Sequence, residues 1–538
     1  MNDAMPQNPY DHVPYPALSY ASSHPDRLAA IARLWGLTTP PVEKCRVLEL
    51  GCAVGGNLIP MAYGLPESEF VGIDRSARQI AQGQETIRAL GLRNITLYHM
   101  DIREVSAELG RFDYIIAHGV YSWVPAPVRE RLLQVCRERL TPDGVAYISY
   151  NTYPGWHMIQ MVREMMLYHT RETEDPMERA AQARALLDFL AEAVPAENSA
   201  YGGFLQMYAR LLHGEVEGAR PKDDALLLHD ELEAINEPVY FYRFVAQAEA
   251  QGLRYLADAE FHTMLPNGLP AVVPRMLRDN ARNLIEAEQY LDFVRNRTFR
   301  RSLLCHREAT PDRQPSPERL TSLYIASRVG KVAEEEESHG TEGGRVLRRF
   351  RASDGATLTT DHPVTQEAMG YLAEVWPRAV PFPDLLAEAR RRAGEAAEAE
   401  EDKDARILAS NLLMAYGHSD ELVELHVYTP PMAPTVSERP KASPVARLQA
   451  AESSRVTNLR HERVRLDSLD RYLLRHLDGS RTVPALVDVL WNGPVAAGDL
   501  VVQRKGEPPL APRDARETLA EGVSKRLRWL AKAALLIA

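Results

Sequence analysis

The chain has 538 residues, 45% of them hydrophobic, a size that predicts three or four domains, each with ample core. A formal net charge of −11 and a pI near 5.9 argue against a phosphate backbone as main partner, so nucleic acid is not expected, though a local basic groove stays open. Cys45, Cys52, Cys136 and Cys305 form no C-x-x-C pair, and no apolar run spans a bilayer or forms a signal core. A reduced, cytoplasmic protein without metal centre, disulfide framework or membrane insertion is expected.

Asn8 to Arg27 carries Tyr10, Tyr15 and Tyr20 among prolines that forbid a regular helix. Two readings stand: a strap packed on the next domain, or a lid over a ligand with its tyrosines near the chemistry. A helix from Asp26 to Trp35 follows. Val47 to Asn57, VLELGCAVGGN, then runs from a buried strand through a glycine turn into the helix Leu58 to Gly64. Gly51, Gly55 and Gly56 permit the sharp turn and a close ligand, and the helix start offers unpaired N–H groups. The dinucleotide pattern G-x-G-x-x-G would need a glycine at Ala53. The methyl-donor pattern E/D-x-G-x-G-x-G takes Glu49, Gly51 and Gly55, with Ala53 a conservative departure.

The following strands separate the two patterns. Glu69 to Asp74 ends in an acid placed for ribose hydroxyls. Ile95 to Ile102 exits at Asp101, where a methyl-donor site meets adenine. Phe112 to His118 and Gly144 to Tyr150 are the fourth and fifth strands, joined by a helix over Val128 to Leu140 and a turn at Thr141 to Gly144. Strands alternating with helices predict an α/β, Rossmann-like parallel sheet. One strand-end acid is easily a helix cap. Three in order, at Glu49, Asp74 and Asp101, point to S-adenosylmethionine. The expected donor contacts are Tyr20, Glu49, Gly51, Cys52, Ala53, Gly55, Asn57, Asp74, Arg75, Asp101, Ile102 and His118.

In open α/β sheets ligands bind beyond the strands' carboxyl ends. His118, Tyr121 and Trp123 after strand four, with Tyr150, Asn151 and Tyr153 after strand five, therefore flank the expected acceptor site. The Asp/Asn-Pro-Pro-aromatic run of amino-directed nucleic-acid methyltransferases is missing there. For His118 alone, a structural hydrogen bond is as good a reading as a catalytic one.

Periodicity predicts helices over residues 157–222, and a compact mixed subdomain over 223–310 packed on the catalytic one. Pro311 to Pro317 is a linker and Glu334 to Gly344 a charged loop. Two similar stretches, from Ala356 and from Glu462, each read as a strand, a helix, a turn and a second helix entered at proline. They predict winged-helix-like units over 318–430 and 445–538, which bind DNA or protein, with acidic Glu395 to Asp404 weighing against DNA. The predicted layout is a strap over 1–40, the donor-binding domain over 41–156, then these four segments.

The segments YDHVPYPALSYASSHPDRL, VLELGCAVGGNLIPMA, FVGIDRSARQI, HGVYSWVP, YNTYPGW, NEPVYFYRF, AEQYLDFVRNRTFR and SERPKASPVARLQA together resemble a bacterial family of class I methyltransferases. Its members carry a methyltransferase regulatory domain and a protein-lysine-methyltransferase-type C-terminal domain. Rickettsial lysine methyltransferases acting on outer-membrane proteins are its described members. The resemblance implies a protein substrate, with a surface or outer-membrane protein precursor as one case. A homodimer is a further expectation.

A lysine acceptor must lose a proton from an amine of pKa about 10.4, which costs about 4 kcal/mol near neutral pH. An aromatic pocket from Tyr121, Trp123, Tyr150 and Tyr153 would help, with His118 or Asn151 orienting the amine. A small-molecule N- or O-methyltransferase and a non-enzymatic donor sensor are the competing readings.

Overall fold

The computed structural model describes residues 12–197, 199–216, 221–331, 347–394, 397, 400–503 and 512–538. Tyr10, the charged loop at Glu334 to Gly344 and part of the acidic run after Glu395 lie outside the described residues. One sheet organises the N-terminal 310 residues. Its strands are β1 Arg46–Leu50, β2 Glu69–Asp74, β3 Ile95–His99, β4 Phe112–Ala117, β5 Leu140–Asn151, β6 Leu253–Asp258 and β7 Phe299–His306. The order is β3-β2-β1-β4-β5-β7-β6, parallel from β3 to β5 and antiparallel for β7 and β6. Val47, Leu48 and Leu50 are fully buried, as an apolar run covered on both faces requires. The turn expected at Thr141 to Gly144 lies inside β5, where the Thr141 hydroxyl donates to Asp113 Oδ1 at 3.0 Å and the pairing with β4 shifts register.

Helices α1 Pro25–Leu34, α2 Leu58–Gly64, α3 Ala77–Leu90 and α4 Ala126–Arg139 precede β5. Between β5 and β6 come α5 Trp156–His169, α6 Pro176–Ala193, α7 Ala200–His213, α8 Asp224–Asp230 and α9 Phe241–Ala250. The stretch read as a subdomain packed against the sheet therefore enters the sheet, giving it β6 and β7. A buried cluster holds it there. Arg300 on β7 is fully buried and donates to Glu288 Oε2 at 2.8 Å and to Asp292 Oδ2 at 2.9 Å, with Phe241 under its guanidinium at 3.7 Å. Removing one partner of such a cluster leaves an uncompensated buried charge, a cost of about 3–5 kcal/mol.

The chain continues with β8 Tyr324–Ala326, α10 Pro363–Val375, β9 Val380–Pro381, α11 Phe382–Ala393, α12 Glu401–His418 and β10 Glu424–His426; the three strands pair in the order β9-β8-β10. This unit shares one continuous apolar core with the sheet, from Leu28 to Tyr428. The C-terminal unit has its own core and comprises α13 Pro444–Glu452, the hairpin β11 Arg455–Thr457 and β12 Arg463–Arg465, α14 Ser468–Arg475, α15 Val483–Leu490 and α16 Pro512–Lys532. Helices α5 to α8 make a third core. Among the described residues no helix is long and apolar enough to cross a membrane.

Candidate active site

The switch in strand order between β1 and β4 opens a crevice at their carboxyl ends. The turn after β1 forms its floor. Gly51 has φ +76, and a Cβ there would fall 2.6 Å from Val120 Cγ2. Ala53 takes φ +49, a left-handed conformation costing roughly 1–2 kcal/mol, and its N–H donates to Asp74 Oδ2 at 2.9 Å. Gly56 lets the N-terminal strap cross the turn: a Cβ on it would lie 2.8 Å from Ala17 Cα.

Glu49 is buried at the end of β1. Its Oε1 accepts from Asn57 Nδ2 at 2.7 Å, whereas among the described residues Oε2 has no hydrogen-bond partner. Burial pushes its carboxyl up to about 8, against the hydrogen bond from Asn57. An orphaned buried carboxyl whose ionisation burial opposes, beside a glycine cradle, fits a cationic ligand such as the donor, which would favour its charged form. Asp74 Oδ1 also accepts from Ser76 N–H at 2.8 Å, so this acid ties β2 to the glycine turn. Cys52 and Ile102 are buried, and burial raises the Cys52 thiol. Asp101 caps a short turn by accepting from Arg103 N–H at 2.8 Å, with Arg75 3.5 Å from its other oxygen. Arg103 foremost holds its carboxyl below the usual range.

Asn57 is a hub. Its Oδ1 accepts from Tyr20 N–H at 3.0 Å and from His461 Nε2 at 2.8 Å, while Nδ2 serves Glu49 and Ser23 Oγ. His118 stacks on Tyr20 with ring centroids 3.5 Å apart, and its Nδ1 lies 2.8 Å from Tyr147 Oη. Burial, with Arg301 and Arg463, depresses its pKa and keeps the ring neutral. Arg463 lies over Tyr20 at 5.6 Å. Beyond this group lies a cleft of about 570 Å³, walled by Ser22 of the strap, Glu260 after β6, Trp376 and Glu421 of the middle unit, and Arg463 and Trp529 of the C-terminal unit.

The structure does not gather the expected aromatic pocket. Tyr121 and Tyr150 are core residues: both pack on Phe244, and their hydroxyls meet Gln247 Oε1 at 2.6 Å and Ser302 Oγ at 2.9 Å. Asn151 is buried and donates through Nδ2 to Asn236 Oδ1 at 2.9 Å. Trp123 packs edge-on against Trp156, and Tyr153 stacks on His157. The cleft lining includes neither; Tyr20 and His118 are not in it either, but Ala21, Ser22 and the Arg463 that lies over Tyr20 are. Tyr121 and Tyr150 thus pack toward α9 and Trp123 toward α5, whereas His118 stacks on the strap. Tyr147 and His461 were missed. Tyr147 reads as an interior strand residue, and His461 lies 404 positions from the Asn57 it touches.

Strand order, glycine turn and strand-end acids together define a class I, S-adenosylmethionine-dependent methyltransferase. Family models match a methyltransferase domain over residues 47–144, a predicted methyltransferase regulatory domain over 223–306 and the PKMT C-terminal winged helix domain over 438–535. Protein RP789 of Rickettsia prowazekii is 34% identical over 93% of this chain and 88% of its own length. Protein RP028 of the same organism is 36% identical over 46% of this chain and 96% of its own length. The solved structure of PKMT2 from Rickettsia typhi superposes with a TM-score of 0.85 at 27% identity, covering 98% of this chain and 100% of that one; PKMT2 is also solved in complex with AdoHcy. The chain belongs to this family of methyltransferases with regulatory and PKMT-type winged-helix domains.

Proposed function

We propose that the methyl acceptor is a lysine side chain of a protein, received in the cleft beside Tyr20 and His118. The cleft carries this reading. Its size suits a polypeptide segment, and its lining interleaves Glu260, Asp420 and Glu421 with Arg27, Arg328 and Arg465. Mixed charge suits a polypeptide better than a polyanion. Trp376 and Trp529 line it too, with Arg328 over the Trp376 ring at 4.8 Å and Arg526 over Trp529 at 5.7 Å, so indole rings already hold cationic side chains at this cleft. The PKMT relatives favour the same acceptor class.

The donor site we assign to Glu49, Gly51, Cys52, Ala53, Gly55 and Asn57 in the turn, with Tyr20 and His118 above it. Asp74 and Arg75 would take the ribose side, and Asp101 with Ile102 the adenine side. The bound donor supplies a methyl already electrophilic at its sulfonium. The chain's residues then have to align the acceptor and exclude water. His118, kept neutral and anchored by Tyr147, orients the amine. The burial and guanidinium groups that hold His118 neutral act equally on an amine beside it, lowering its pKa toward the reactive free base.

Labelled donor mixed with whole-cell protein extract should place label in protein, and acid hydrolysis should return methylated lysine. Label confined to the small-molecule fraction would sink the reading. A homodimer fits the exposed Tyr168, Met177, Phe189 and Met207 on α5 to α7. Light scattering at the monomer mass would exclude it.

A further inference from the structure

The C-terminal unit reaches the donor turn through His461. This residue sits at φ +62 in the turn between β11 and β12, a conformation that a non-glycine residue adopts at a cost of roughly 1–2 kcal/mol. The turn is built to hold it. Asn458 Oδ1 accepts from Arg460 N–H at 2.9 Å and Glu462 N–H at 2.8 Å, and Asn458 O accepts from His461 N–H at 3.0 Å. The ring is buried, tilted against His24 at 5.2 Å, and donates from Nε2 to Asn57 Oδ1.

That bond acts with the Tyr20 N–H to hold the Asn57 amide. With Oδ1 committed to His461 and Tyr20, Nδ2 must point at Glu49. Glu49 Oε1 is thereby clamped, while Oε2 is buried and, among the described residues, has no hydrogen-bond partner. On its other face the same turn lines the cleft with Glu462 and Arg463. One six-residue stretch, 458–463, thus touches both the donor turn and the proposed acceptor cleft.

We infer that His461 is a positioning residue for the donor, and that docking of the C-terminal winged-helix unit sets donor affinity through the path His461–Asn57–Glu49. The inference rests on the assignment of the Glu49–Asn57 turn to the donor site. It gives the C-terminal unit a role inside the cofactor pocket, beyond any contact with substrate. It also couples the two sites, and such coupling is reciprocal in binding free energy.

The test uses the full chain and S-adenosylhomocysteine as probe. His461→Leu fills the same space without the hydrogen bond, and calorimetry should show binding weaker by roughly tenfold. His461→Gln, which can still donate to Asn57, should recover most of the loss. Equal binding by wild type and both variants would overturn the inference, as would an equal loss in both. Should the leucine variant not fold, hydrogen exchange on the wild type decides. The probe should slow exchange across residues 455–465 as well as in the Glu49–Asn57 turn. Protection of that turn alone refutes the link to the C-terminal unit. Protection of neither removes the donor assignment, and the inference with it.

Discussion

Asp74 joins two tasks that the sequence reading kept apart. It ends β2 where ribose hydroxyls are expected, and it already accepts from the Ala53 and Ser76 N–H groups. Asp74→Ala should therefore weaken donor binding by more than tenfold and also loosen the glycine turn, visible by calorimetry and as faster exchange at residues 51–56. Unchanged affinity would show that the ribose assignment is wrong. At the acceptor side, Tyr147→Phe removes the hydroxyl that anchors His118. Turnover should fall about tenfold while donor affinity holds within twofold. Trp123→Ala should behave in the opposite way, lowering stability by about 1–2 kcal/mol through lost packing of this half-buried ring on Trp156, with kcat nearly kept. A Trp123 variant that folds normally but loses turnover would restore it to the acceptor site. The glycine turn with Glu49 and Asn57 was legible because the motif is local. Tyr147 was not, because strand alternation does not reveal a polar contact made to the end of the neighbouring strand.

Among the elements, the strap lies against the glycine turn. Gly56 makes room for it, Tyr20 bonds Asn57 and stacks on His118, His229 Nε2 lies 2.7 Å from Val13 O, and Ser19 Oγ accepts from Thr457 Oγ1 at 3.2 Å. It therefore touches the donor turn, the helical extension and the C-terminal unit, as a lid would. Deleting residues 1–21 should leave the sheet folded, by circular dichroism, with turnover cut at least a hundredfold and donor affinity weakened. Full activity would leave only a packing role. Strands β1 to β5 were legible as apolar runs between glycine turns and helices. Strand β7 was not: Phe299–His306 reads FRRSLLCH, and a central Arg300 looks solvent-facing until Glu288 and Asp292 are folded beside it. Likewise β6 follows a 101-residue excursion from β5, and nothing in its own residues tells which sheet it joins.

Across the whole molecule the strap, the middle unit and the C-terminal unit converge on one buried polar seam. Asp26 on α1 accepts from Val427 N–H at 2.7 Å, Glu424 pairs with Arg27, Arg460 and Arg328, and Arg460 N–H bonds Asn458. His461, next to Arg460 of the seam, bonds Asn57 of the glycine turn, so cutting away the C-terminal half would strip that contact as well. Truncation therefore cannot separate a protein acceptor from a small-molecule one. Acid offers a reversible way to open the seam. His24 is buried with Asp26, Arg27, His426, His461 and Tyr428 around it, and its Nδ1 caps α1 by accepting from Asp26 N–H at 3.1 Å, which requires the neutral ring. Burial lowers its pKa to about 4, against 6.5 for the unfolded chain. A depressed histidine contributes its full stability above pH 6.5 and loses it as the pH falls toward 4. At pH 5 that loss is about 2 kcal/mol from His24 alone. His461, whose pKa burial also lowers, acts in the same direction. Limited proteolysis should therefore release the C-terminal unit faster at pH 5 than at pH 7.5, with donor affinity falling in parallel. His24→Asn keeps a capping oxygen without a titrating ring, so its proteolysis should depend less on pH. An equally steep pH dependence in His24→Asn would assign the acid sensitivity to the other groups of the seam.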